Sequence, residues 1–277
     1  MKIALAQMNS GIVPEENARQ LCELIADAAA AGAVMIFTPE MSGLLDRDRS
    51  RAKAAIRGES DDAVLAAVRS EAQKAGIWVQ LGSLAISDPG NPDAKWSNRS
   101  YLINPRGEIT ARYDKIHLFD VDLGEEESQR ESSAYAGGRD AVVASIPEAT
   151  LGMSICYDLR FPGLYEALTN AGADILSVPA AFTVPTGKAH WEILLRARAI
   201  EAGAFVVAAA QYGRHEDGRA TYGHSMVVDP WGKILLDMGE GIGLGFCDLD
   251  CSQVGAVRSR IPAVANRQNF ALPAMVQ

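Results

Sequence analysis

A cysteine at the junction of a buried strand and a helix is the side chain of this sequence best placed to act as a nucleophile. In ATLGMSICYDLRFPGLYEAL, residues 149 to 168, Met153 and Ile155 close a short apolar run, and Phe161, Leu164, Tyr165 and Leu168 recur at helical spacing around Pro162. Cys156 falls on the turn between them, read here as an exposed position. Such a turn lifts one side chain out of the sheet and brings the next backbone N–H groups to a helix start, where developing negative charge is stabilised. The plain alternative is a small buried apolar residue. Three more groups complete a reactive set. Glu40 follows Pro39 at the end of the apolar run VMIFTP, and carboxyl ends of buried strands are where α/β folds carry site residues. Lys115 lies at the exit of a strand pair, where a lysine can equally snorkel at the surface. The segment DVDLGEEESQRESSAYAGGRD, residues 120 to 140, supplies further carboxylates. Together these offer a nucleophile, a base and a cation for an oxyanion. A thiol near its free pKa of about 8.5 is only a few per cent ionised at neutral pH, so an adjacent carboxylate base matters.

The elements that must position these groups follow a strand-and-helix rhythm. Residues 2 to 8 read as a strand, 14 to 31 as an Ala-rich helix between Pro14 and Gly32, and VMIFTP as the next strand. A helix over 61 to 75 leads through Gly76 into IWVQLGSL. RSYLINPRGEITARYDK predicts an antiparallel hairpin turning at Asn104-Pro105-Arg106-Gly107, with Lys115 at its exit. Residues 120 to 140 lack either period and read as a long loop. After the strand at 140 to 146 and the Cys156 stretch come ADILSVPAAF as a strand, 190 to 203 as a helix, and AFVVAAAQ, TYGHSMVVD, GKILLDM and GIGLGFCDLD as strands. No solenoid repeat, low-complexity linker or charge block divides the chain, so residues 1–277 read as a single domain, with a tail from about residue 251. Two sets of mixed strands with helices between them suggest two sheets with helices on the outer faces.

Composition narrows the partners. A net charge of −9 argues against nucleic acid or an anionic membrane as the target, since either usually needs a basic patch. The longest apolar run, near residues 204 to 210, is too short to span a bilayer, and MKIALAQMNS lacks the apolar core and cleavage site of a signal peptide; a cytoplasmic location is expected. The four cysteines and four histidines show no metal-ligand spacing, and no GxSxG, HExxH, Walker or GxGxxG motif competes. Asn98-Arg99-Ser100 matches a glycosylation sequon, irrelevant in a cytosol.

FTPE at Glu40, RYDKIHLFD at Lys115 and GMSICYDLRFP at Cys156, in that order, resemble the Glu-Lys-Cys triad of the carbon–nitrogen hydrolases of the nitrilase superfamily. The resemblance covers nearly the whole chain. AHWEILLRARAIE, the segment from GRH to GHSMVVDPWG, and the terminal RSRIP are similar to the branch that contains deaminated glutathione amidases. Thr38 departs from it, standing where many relatives carry a larger apolar residue.

The resemblance implies an α/β fold, a four-layer α-β-β-α sandwich, assembling as a homodimer or higher homo-oligomer. It implies a cofactor-independent amidase acting on a small carboxylate-bearing amide through a thioester on Cys156, with Glu40 as base and Lys115 and the Tyr157 backbone N–H holding the oxyanion. The auxiliary glutamate is assigned to Glu131, with Glu125, Glu126 and Glu127 as rivals. Arg160 is the candidate for a substrate carboxylate, while His190 and Trp191 are expected to pack and Arg196 and Arg198 to form structural ion pairs. An omega-amidase, an N-carbamoyl amidase and a nitrilase share the same covalent step, and a catalytically silent binding protein would keep the fold without it. A metal-dependent amidohydrolase is disfavoured by the missing histidine clusters.

Overall fold

The computed structural model describes residues 1–91, 93–122 and 129–271. Its first half winds from β1 (Lys2–Gln7) through α1 (Pro14–Ala30) to β2 (Met35–Phe37), then through α2 (Arg49–Ala55) and α3 (Ala63–Ala75) to β3 (Trp78–Ile86), β4 (Trp96–Ile103) and β5 (Ile109–Asp114). Pro14 supplies a preset φ at the start of α1, and Asp62 caps α3 by accepting from the Leu65 N–H at 2.8 Å. The short α2 is a helix that the sequence reading omitted; Asp48 caps it through the Ser50 and Arg51 N–H groups. The described part of residues 120 to 140, read from sequence as a long loop, holds β6 (Asp120–Val121), β7 (Gln129–Arg130), a single tight turn at Glu131–Ser133 and β8 (Tyr135–Ala136).

The second half runs β9 (Val142–Ile146), β10 (Ala149–Met153), α4 (Pro162–Asn170), β11 (Ile175–Ser177), α5 (Val184–Ala202), β12 (Phe205–Ala208), β13 (Tyr212–Arg214), β14 (Ala220–Tyr222), β15 (Met226–Val228), β16 (Ile234–Asp237), β17 (Gly243–Asp248) and α6 (Ser252–Arg260). Helix α5 begins six residues before the apolar period suggested. Pro185 stands in its first turn, where a proline is tolerated, and Gly187 is needed because a Cβ there would strike the Tyr222 ring.

One sheet has the order β17-β1-β2-β3-β4-β5, with β8 beside β4; the other has the order β16-β15-β12-β11-β10-β9. The inner strands β1, β2 and β3 run parallel, as do β10, β11 and β12, while the outer pairings are antiparallel except that of β8 with β4, which is parallel. Leu5, Phe37, Leu102 and Tyr113 from the first sheet pack into one buried cluster with Leu151, Met153, Leu176 and Val207 from the second. On the far side of the first sheet, Ala4, Ile36 and Val79 pack against Leu21, Ile25, Val68 and Ala72 of α1 and α3. Trp191, Leu195 and Ala199 of α5 cover the second sheet. The order helix, sheet, sheet, helix is the four-layer α-β-β-α sandwich. Among the described residues no helix is long and apolar enough to cross a membrane.

Candidate active site

The strand β10 ends at Met153, and the chain enters a tight turn at Cys156–Arg160 before α4 begins. Cys156 itself has φ +49°, a left-handed conformation that costs free energy in a non-glycine residue and has to be held by its surroundings. Its N–H donates to the Pro179 carbonyl at 2.9 Å. Asp158, wholly buried, accepts from the Ile155 N–H at 2.9 Å, the Tyr113 hydroxyl at 2.7 Å and the His117 N–H at 3.0 Å, with His117 Nδ1 at 2.7 Å. One carboxylate thus ties the cysteine turn to the segment that carries Lys115. The first bond of the turn runs from the Asp158 N–H to the Ile155 carbonyl. The Tyr157 N–H precedes it, at a helix start where donors lack an intrahelical acceptor.

The cysteine is not on an exposed turn, as the sequence reading had it. It is only 7% exposed and packs with Ile155, Leu159 and Ala180 in the central cluster. The reason is tertiary: the end of β11, from the other side of α4, closes over the turn through Pro179 and Ala180.

Glu40 and Lys115, 5% and 2% exposed, lie together under the same roof. The lysine Nζ donates to Glu40 Oε1 at 2.8 Å and to Glu131 Oε2 at 2.9 Å. Glu40 Oε2 accepts from the Ala181 N–H at 3.0 Å, and Glu131 Oε2 from the Phe119 N–H at 2.6 Å. Asn98 Nδ2 bridges the two carboxylates, at 2.9 Å to Glu40 and 3.1 Å to Glu131. The rival carboxylates Glu125, Glu126 and Glu127 lie outside the described residues. Thr38, the departure noted above, is buried; its hydroxyl accepts from the Gly82 N–H at 3.0 Å and bonds Ser42 at 3.1 Å, fastening the loop that carries Glu40.

Electrostatics divide the labour. Burial pushes the Cys156 thiol well above its usual range and the Glu40 charge pushes it further, while Lys115 pulls the other way without prevailing. The resting sulfur is therefore a neutral thiol, which needs a base at the moment of attack. Burial alone would lower the Lys115 ammonium, but the charges of Glu131 and Glu40 outweigh it and hold the lysine well above its ordinary value. A permanent cation beside a protonated thiol and a carboxylate can move one proton and stabilise one negative oxygen.

Arg160 closes the turn. Its guanidinium lies over the rings of Tyr157 and Phe182, at 5.9 and 5.4 Å, and Nη1 is 3.3 Å from His190 Nδ1. Among the described residues no carboxylate pairs with it. Trp191 is buried with its indole N–H on the His224 carbonyl, and Arg196 and Arg198 pair with Glu192 and Glu201. The sequence reading missed Asn98, Asp158 and the Ala181 N–H. A signal existed for the first: Asn98 shares the buried phase of β4 with Ser100 and Leu102, and a polar side chain in that phase needs a partner. Its burial also leaves the apparent sequon out of reach. Among the described residues no group of three or more His, Cys, Asp or Glu side chains gathers as a metal site.

The sequence profile of the carbon-nitrogen hydrolases matches residues 2–259. The deaminated glutathione amidase of Yersinia enterocolitica is 40% identical over 267 residues, covering 96% of this chain and 92% of that protein. The crystal structure of the Caenorhabditis elegans NitFhit protein superposes with a TM-score of 0.89 at 37% identity, over 96% of this chain and 65% of that one. A glutamate-to-glutamine mutant of the amidase from Nesterenkonia sp. AN1, 28% identical with a TM-score of 0.80 over 97% of this chain and 94% of its own, carries the acetamide moiety of fluoroacetamide covalently added at its active-site cysteine. Sequence and architecture agree: this chain belongs to the carbon-nitrogen hydrolase family, hydrolases that cleave non-peptide C–N bonds through a cysteine nucleophile.

Proposed function

We propose that Cys156 is that nucleophile and that the physiological substrate is a small amide with an α-keto acid head, of the deaminated glutathione class. Glu40 takes the thiol proton as Sγ attacks the amide carbon, and the carbonyl electrons move to oxygen. Lys115 and the Tyr157 N–H hold that oxyanion. When the tetrahedral intermediate collapses, the C–N bond breaks and Glu40 returns its proton to the leaving amine. Water, deprotonated by Glu40, then attacks the thioester; the acid departs and the thiol is restored. Glu131 acts as the auxiliary carboxylate that fixes Lys115.

The observation carrying the mechanism is the buried Cys156 thiol in one cluster with Glu40, with Lys115 clamped between two carboxylates. The substrate class is supported by the relatives' activity and by Arg160, a guanidinium over two aromatic rings beside the cysteine turn and able to bind a carboxylate bidentately. The dipeptide leaving group of deaminated glutathione offers remote binding energy that can orient the scissile amide, which an ammonia-releasing substrate such as α-ketoglutaramate lacks.

Steady-state kcat/KM on both amides tests this. Deaminated glutathione is expected to be preferred; a tenfold preference for α-ketoglutaramate, about 1.4 kcal/mol, would replace the assignment with an omega-amidase. Arg160→Gln should raise KM for both acids and leave a neutral amide unaffected. We also read residues 1–277 as one domain of a cytoplasmic homodimer or larger homo-oligomer; exposed Ile193 and Ile200 on α5, the latter against Gly232, support an assembly face. A monomer in sedimentation at micromolar concentration would refute it.

A further inference from the structure

Glu40 and Glu131 converge on the single ammonium of Lys115, which touches one oxygen of each. A second donor is needed to fix the two carboxyl groups relative to one another. Asn98 supplies it. Its Nδ2 sends one N–H to Glu40 Oε1 and the other to Glu131 Oε1, while its Oδ1 is buried with no hydrogen-bond partner among the described residues. An unpaired buried acceptor costs roughly 1–3 kcal/mol. Flipping the amide is no remedy, because Oδ1 would then face two carboxylate oxygens at the distances the N–H groups now occupy. The Asn98 main chain takes part as well: its carbonyl accepts from the Lys115 N–H at 2.9 Å, so one residue fixes the backbone of the lysine and the side chains of both its partners.

We propose that Asn98 is a positioning residue of the hydrolytic site, which holds Glu40 and Glu131 at a fixed separation around Lys115. The inference rests on the reading of Glu40 as the base. A base displaced by a fraction of an ångström from the thiol loses rate without losing substrate affinity, so the contribution of Asn98 belongs to kcat.

The test is kcat and KM, taken separately, for Asn98→Leu, which keeps the volume and removes both donors, beside Asn98→Ser, which restores one. For Asn98→Leu kcat should fall about tenfold with KM within about twofold of the parent. Asn98→Ser should recover part of that kcat. A loss carried by KM alone, or a kcat loss as large in Asn98→Ser as in Asn98→Leu, would overturn the proposal, as would failure of both variants to fold, which would assign Asn98 to the fold alone. Glu40→Gln separates the two claims: activity within tenfold of the parent would sink the base assignment, whatever Asn98 does.

Discussion

Two stretches of this chain are built alike and used differently. AGAVMIFTPE, residues 31 to 40, and AGADILSVPA, residues 171 to 180, each lead from a helix end through a left-handed glycine into a three-residue buried strand that ends before a proline. Gly32 has φ +82° and Gly172 φ +91°. Both strands, β2 and β11, sit between parallel neighbours at the centre of their sheets. After the proline the two part. The first gives Glu40, an ionisable side chain; the second gives Ala180 and Ala181, which contribute backbone alone. Yet the second end holds both reactive partners, since the Pro179 carbonyl receives the Cys156 N–H and the Ala181 N–H donates to Glu40. The lesson is that a strand end can serve a site through its peptide groups, at positions where side-chain chemistry gives no sign of it.

The largest effects should come from the end that carries side-chain chemistry. Cys156→Ala and Glu40→Gln are each expected to abolish turnover in an ammonia- or amine-release assay. Because the thiol is buried, Cys156→Ala should also lower stability, by about 1 kcal/mol in denaturant unfolding. Retained amidase activity in Cys156→Ala would leave the comparison without its chemical half. Next comes Lys115→Met, with kcat down about 10²- to 10³-fold for loss of an oxyanion donor. Glu40 and Glu131 would then face each other without their cation, at a cost of roughly 3–5 kcal/mol. Denaturant unfolding and kcat, both at neutral pH, check the two effects; a kcat within threefold of the parent would remove Lys115 from the chemistry.

Smaller effects sharpen the structural half. A Cβ at Gly82 would meet the main-chain carbonyls of Thr38 and Pro39, immediately before Glu40. Gly82→Ala should therefore cost about 1–3 kcal/mol and displace Glu40, lowering kcat as well as the melting temperature. The matched pair Gly32→Ala and Gly172→Ala should give the smallest and nearly equal losses, about 1 kcal/mol each, with activity intact. Neither glycine has a neighbour within 4 Å of a built Cβ, so the cost is that of the left-handed conformation. A kcat loss confined to one of them would show that the two helix ends are not equivalent supports.

Periodicity and punctuation were enough to find most of the elements, because short-range physics sets them: Pro14 at a helix start, Gly76 with φ +67° at the end of α3, and the alternation of β4 and β5 about their turn. The short pieces β6, β7 and β8 escaped, since two residues carry no period, and α5 began earlier than its apolar pattern. The triad residues Glu40, Lys115 and Cys156 stood out by type and motif order. Their burial did not. Side-chain type told which groups could react, whereas the buried thiol, the doubly clamped lysine and the Asn98 bridge arise only when segments 16 to 141 residues apart in the chain close on one another. Local sequence decides a residue's conformation and chemical identity; its charge state depends on which distant groups exclude water from it, and that is settled by the packing of two sheets.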